Sequence, residues 1–327
     1  MSINKKTSNS TFFALLILVN QHFWKSMSGP FLAFIFPLIL VCTLGFSLGY
    51  NSAFPGAFVM GIIAIGLNIL PATIADFRKS SLLKRIFSTP IKPMKILLIL
   101  CFFFFVLMII SFCTTFSLSI LFFVKYYNIG QVINLPGFDN VSLPSFSQVL
   151  SHIDWVGFLY STFLVIILSI ILGLTIASVF KEPSTINSIS LMLLVVTILL
   201  SGLAIPNVVV RNNNILWFFS YVATPFKPVV SISIESYNGA FFEDNSFMDT
   251  LRQINPSWEQ MFNLNGSSWY NINSTYSIFN SIVLPGLNTG EAKLFDKVDK
   301  ILNNVLPYVW ISVFLPIIFF KFKWNNR

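Results

Sequence analysis

Among the charged and hydroxyl-bearing residues of this sequence, one run stands out: Asp76-Phe77-Arg78-Lys79-Ser80-Ser81-Leu82-Leu83-Lys84-Arg85-Ile86-Phe87-Ser88-Thr89-Pro90, set between two long apolar stretches. Its residue types suit electrostatic and apolar contact with a surface rather than bond-making. Residues that could do covalent or metal chemistry are sparse elsewhere. Cys42, Cys101 and Cys113 lie in apolar stretches without C-x-x-C spacing and read as small core hydrophobes. His22 and His152 fall at or beyond the ends of the apolar runs. No H-E-x-x-H, G-x-S-x-G or paired carboxylates within an apolar run occur, so no catalytic, cofactor-binding or metal-binding residue is expected. A G-x-x-x-x-G-K-[ST] phosphate loop is also absent, so the sequence offers no nucleotide site of its own.

Within Asp76–Pro90 the spacing predicts a short amphipathic helix. Leu82, Leu83, Ile86 and Phe87 fall on one face, and Lys79, Lys84 and Arg85 lie elsewhere. Ser80 or Ser81 can cap its start, and Thr89 before Pro90 stops it. Basic residues at the end of a membrane helix hold topology and touch anionic lipid, which accounts for the charge. The apolar face calls for something further, and a docked partner would supply it.

The elements flanking this run are apolar and long. Of the 327 residues, 55 % are hydrophobic and 10 % charged, against about 25 % charged in soluble domains. Runs of about 20 apolar residues, each enough to cross roughly 30 Å of hydrocarbon, recur along the chain. The expected architecture is an all-α integral membrane protein with roughly six spans, at residues 31–50, 56–75, 94–124, 155–180, 186–205 and 305–320. The third is long enough to need tilt or an extension beyond the bilayer. Residues 1–30 form the N-terminus with an interfacial helix over Phe12 to Val19, and 31–205 carry spans one to five. Within that block, 76–93 is a cytoplasmic segment and 125–154 an external loop. Residues 206–304 form an external segment, and 305–327 the last span and its basic tail.

Charge orients these spans. Net charge is +8, but the basic residues follow the spans instead of one soluble face, which excludes a nucleic-acid partner. One side of the layout collects 13 of the 20 basic residues (Lys5, Lys6, Lys25, Arg78, Lys79, Lys84, Arg85, Lys92, Lys95, Lys181, Lys321, Lys323 and Arg327) and two acids, Asp76 and Glu182. The other side holds the remaining 7 basic and 10 acidic residues. By the positive-inside rule the first side is cytoplasmic, which places both termini there. Heavy use of Phe, Ile, Asn and Lys points to an AT-rich bacterial genome and hence to the plasma membrane.

Within the spans, Gly45 and Gly49 form a G-x-x-x-G that permits close helix approach. Asn68 and Pro71 would polarise and kink the second span, serving either a translocation path or plain helix–helix hydrogen bonding. Apart from Lys95 at the cytoplasmic edge of the third, no acid, base or histidine falls inside the expected spans, which weakens ion-coupled transport.

The segment Asp76–Pro90 resembles the linker of type-2 ABC transporter permeases. In that family a span ends in an acidic–basic pair, a basic helix with a leucine pair follows, and a Thr-Pro precedes the next span. Asp76-Phe77-Arg78, Leu82-Leu83 and Ser88-Thr89-Pro90 match in order. Ser201-Gly202-Leu203-Ala204-Ile205-Pro206 resembles the family's Ser-Gly with a following proline at the outer gate, and Thr224-Pro225 ends a stretch like its external helices. Two departures are Ser80 or Ser81 where a glycine is usual, and the long stretch from about 231 to 304.

The resemblance implies a half-transporter for export that is itself no enzyme. Asp76, Arg78, Lys79, Leu82, Leu83, Lys84, Arg85, Ile86, Phe87, Thr89 and Pro90 would be the coupling helix, seated in a separate ABC ATP-binding subunit that holds ATP and Mg. A second permease copy or paralogue completes the path through the lipid bilayer. Two other functions fit the sequence less well: a multi-span anchor for an external receptor or adhesin-like module, and a secondary transporter, for which no internal repeat is found.

Overall fold

The computed structural model describes residues 3–48, 50–79, 93–128, 132–135, 138–142, 150–151, 153–202, 214–243 and 297–322. Nearly all of these are helical. In chain order they are α1 (Ile3–Lys25), α2 (residues 28–48), α3 (residues 50–79), α4 (Pro93–Asn128), α5 (Trp155–Val179), α6 (Pro183–Leu200), α7 (Asn214–Ala223), α8 (Lys227–Glu243) and α9 (Lys297–Lys321).

Five of these helices are long and apolar enough to cross a membrane: α3, α4, α5, α6 and α9. Two bent pairs pass the same test when taken together, α1 with α2 at 84° and α7 with α8 at 106°. Apolar helices of this number and length make the chain a membrane protein. Five of the six expected spans correspond to single helices. The first, at 31–50, is instead one limb of the α1–α2 pair. The third runs 36 residues, about 54 Å of helix, well beyond one hydrocarbon core.

The core is built around α3. Its apolar window is 89 % buried, against 11 % for α9, which lies on the outside of the bundle. α3 pairs with α2 as a hairpin and also packs on α4, α5 and α8. Small residues set the closest crossing. A Cβ on Gly66 would lie 2.4 Å from Ser169 Cβ, and one on Gly173 would lie 2.2 Å from the Gly66 carbonyl oxygen, so α3 and α5 touch backbone to backbone.

Prolines reshape two helices. Pro71 cannot bond the carbonyl four residues earlier, and the π-helical turn Ile65–Ile69 opens the helix just ahead of it. In α2 a π-helical stretch at Phe31–Ile35 precedes Pro37 in the same way, and the Ala33 carbonyl, four residues before that proline, accepts from Ser111 Oγ of α4. The second helix bond lost to proline is thus replaced across a helix interface.

The loop expected at 125–154 contains a hairpin, β1 (Val132–Leu135) and β2 (Phe138–Ser142), antiparallel with Val132 opposite Ser142 and Leu135 opposite Phe138. Pro136-Gly137 between the strands is the turn signal that marks it in the sequence. Asp154 then caps α5, its Oδ1 accepting from Val156 N and Gly157 N, each at 3.1 Å.

Candidate functional site

Polar side chains gather at the two ends of the bundle. At one end α3 finishes in Asp76, Phe77, Arg78 and Lys79, the first residues of the expected coupling segment. Asp76 pairs with His22 of α1 at 3.5 Å, and the His22 ring lies 5.3 Å from Phe77. Arg78 reaches sideways: its Nη1 donates to the Ala177 carbonyl near the end of α5, and its guanidinium sits 4.9 Å over the Phe322 ring at the end of α9. Arg78 Nε and Nη2 are buried with no hydrogen-bond partner among the described residues. Lys79 is exposed. Leu82, Leu83, Lys84, Arg85, Ile86, Phe87, Thr89 and Pro90 lie outside the described residues.

The opposite end holds a buried network that the sequence reading did not find. Asp299, near the start of α9, accepts from Trp217 Nε1 at 2.7 Å and from Tyr221 Oη at 3.3 Å. Tyr221 Oη also lies 2.8 Å from Asn303 Oδ1, so its single proton serves either Asp299 or Asn303. Lys227, the first residue of α8, is 3 % exposed, feels the Asp299 charge, and donates from Nζ to the Ser201 carbonyl at 3.3 Å. On the outer side of this knot Lys300 pairs with Glu235 at 3.0 Å. Three elements from the stretch 206–304 therefore lock together: α7, α8 and the start of α9. α8 continues the contacts inward, where Ser233 Oγ donates to the Pro55 carbonyl at 3.2 Å and the Ser236 carbonyl accepts from Asp154 N at 2.9 Å.

The expected gate motif lies at this end. Ser201 closes α6, and Gly202 follows with φ 97°, a left-handed conformation that suits glycine. The Ser201 carbonyl, left without a helical partner, is the one Lys227 engages. Pro206 is outside the described residues. Gly202 thus has a local task in ending the helix and presenting that carbonyl.

Asn68 is buried inside the π-helical turn of α3, with Pro71 buried one turn on. Both sit in the packed body of the bundle, close to the α3–α5 crossing. Gly45 lies in α2, and Gly49 is outside the described residues. Cys42 and Cys101 are half-buried and Cys113 exposed, all unpaired. Among the described residues no three His, Cys, Asp or Glu side chains come close enough to hold a metal ion.

Lys227, Asp299 and their partners were missed because the sequence places them in a polar, Asn- and Ser-rich stretch. A signal was nonetheless present. Ile215–Ala223 and Lys227–Tyr237 are each apolar, and together they pass the test for a membrane span once the break between them is allowed. Compared with family models, with curated proteins and with solved structures, the chain matches none.

Proposed function

We propose that this chain is the membrane-spanning permease subunit of an ATP-driven exporter of the ABC type-2 class. It works beside a second copy or paralogue in a bacterial plasma membrane, with ATP and Mg held on separate ATP-binding subunits. The observation that carries the reading is the attachment of Arg78. This residue, third in the expected coupling segment, is bonded to the end of α5 and stacked on the end of α9, while its backbone belongs to α3. A partner that pushes on 76–93 would therefore move three helices at once instead of bending a free loop.

At the far end α9 meets α6, α7 and α8 in the Lys227–Asp299 network, and α3 and α5 bond α8 through the Pro55 carbonyl and Asp154 N. Transport in this reading is a relayed tilt: force enters at the Arg78 end and the helix packing changes at the Lys227 end. α9 suits such a relay because it lies along α5 and α8 for its length while most of its remaining apolar surface faces outward. An anchor for an external module would not require α8 to be buried among the other helices, and this burial favours the transporter reading over the anchor.

The test is to purify the tagged full-length chain from its native membrane in mild detergent, identify what co-purifies, and assay ATPase and export. The expected partner carries a G-x-x-x-x-G-K-[ST] loop. Leu83→Asp should release it and abolish export while leaving insertion intact. Normal export by Leu83→Asp, or purification of the folded chain with no ATPase, would overturn the proposal.

A further inference from the structure

Two contacts show how α1 lies on α4. Phe12 meets Phe102 with ring centroids 6.0 Å apart, and Phe23 meets Phe103 at 6.2 Å. Residues widely separated along α1 thus reach neighbouring residues of α4, so the two helices cross steeply. From that crossing the apolar part of α4 continues to Phe122, a stretch of about 30 Å that matches the thickness of a hydrocarbon core. α1 therefore sits where the headgroups of one leaflet would lie, and its 84° bend into α2 turns the chain from the surface into the bilayer.

Below the crossing is an open groove of about 370 Å³. α1 contributes Asn20 and Trp24, α2 contributes Phe34, and Phe102, Val106 and Ile110 of α4 make the floor, which extends for about 12 Å away from the basic end. Trp24 and Phe34 stack at 6.1 Å with their planes 10° apart. Apart from Asn20 this lining is apolar, so the groove suits an alkyl chain.

Its α1 edge is basic. Lys25, next to Trp24, is exposed at the α1 end that lines the groove. Of the two acids at this end, Glu182 lies in the link between α5 and α6, and Asp76 pairs with His22, which points away from Trp24 because residues two apart lie on opposite sides of a helix. The elbow adds two hydroxyls, Ser26 Oγ and Ser28 Oγ, 3.0 Å apart.

We propose that this groove binds an acidic phospholipid from the surrounding membrane. One acyl chain lies along α4 beneath Trp24, and the phosphate sits at Lys25 and the Ser26–Ser28 elbow. The proposal requires the chain to be embedded in a bilayer and does not depend on the transport reading, so either can fail alone.

The experiment uses the full chain in phosphatidylcholine nanodiscs containing a small fraction of either brominated phosphatidylglycerol or brominated phosphatidylcholine. Bromine quenches nearby indoles, and the part due to Trp24, one of seven tryptophans, is the difference from Trp24→Phe. Phosphatidylglycerol should quench Trp24 at a lower fraction than phosphatidylcholine does. Lys25→Glu should weaken that preference by about fivefold or more, and Val106→Phe, which fills the floor, should reduce quenching by either lipid. Lys181→Glu, an exposed charge between α5 and α6, should leave it unchanged. Equal quenching by both lipids would mean annular lipid only and overturn the proposal, as would a preference that survives Lys25→Glu. Protection of Trp24 from both lipids, together with crosslinks between α1 helices of two chains, would assign the groove to a second copy and also overturn it.

Discussion

A lysine that begins a helix and is almost fully buried needs a counter-charge, and Lys227 has Asp299. The arrangement is uneven. Asp299 retains donors from Trp217 and Tyr221 if the lysine is lost, whereas loss of Asp299 removes an opposite charge from an almost fully buried lysine. Asp299→Leu should therefore destabilise the protein by about 3 kcal/mol, the cost typical of leaving one partner of a buried pair uncompensated. Lys227→Met should cost less, and the double variant should recover part of the loss, since contacting residues couple by about 0.5–3 kcal/mol. Thermal unfolding in detergent, followed by loss of the monodisperse peak, reads the cycle. Additive losses would show that the two side chains do not act as a pair.

At the level of elements, crossings that bring backbones together depend on what is missing from a side chain. Gly173 lies against the Gly66 carbonyl, and a Cβ there would have to push a backbone atom and not a flexible side-chain tip. Gly173→Ala should force α3 and α5 apart and cost about 1–3 kcal/mol, measured by the same unfolding assay with membrane insertion unchanged. Stability equal to the parent protein would mean that the crossing relaxes freely. This crossing also shows what the sequence could reveal. The G-x-x-x-G at Gly45 and Gly49 was legible as a motif, yet Gly66 and Gly173, far apart in the chain and in no motif with each other, make the tight contact. Composition and apolar run length suffice for α3, α4, α5, α6 and α9, because a bilayer demands one long apolar helix per span. The α7–α8 pair escaped notice because Thr224-Pro225 breaks it and its buried polar residues, Lys227, Ser231 and Ser233, lower its hydropathy. Other helices supply partners for two of these groups, Ser201 for Lys227 and Pro55 for Ser233, while Ser231 Oγ has none among the described residues, and sequence pattern does not show which distant residues will meet.

For the whole molecule, the antiparallel run of helices sorts the chain into two ends with opposite character. Arg78 links the ends of α3, α5 and α9, placing Lys79 and Lys321 at one end, and Lys181, in the short link after α5, belongs with them. Lys227 links Ser201 to the start of α8, and the Asp299 network holds the start of α9 at the other end. Positive charge gathered at one end is the pattern the positive-inside rule assigns to the cytoplasm. With Cys42, Cys101 and Cys113 replaced by serine, Lys181→Cys and Lys321→Cys should therefore react with a membrane-impermeant maleimide only from the cytoplasmic face. Val298→Cys, on an exposed position at the start of α9, should react only from outside. The Val298 position carries the most weight, because α9 has the smallest buried share of the five long helices. If Val298→Cys labels from the same face as Lys181→Cys, α9 does not cross the membrane. The network around Asp299 would then lie on the cytoplasmic side, and force entering at Arg78 would have no opposite end to open.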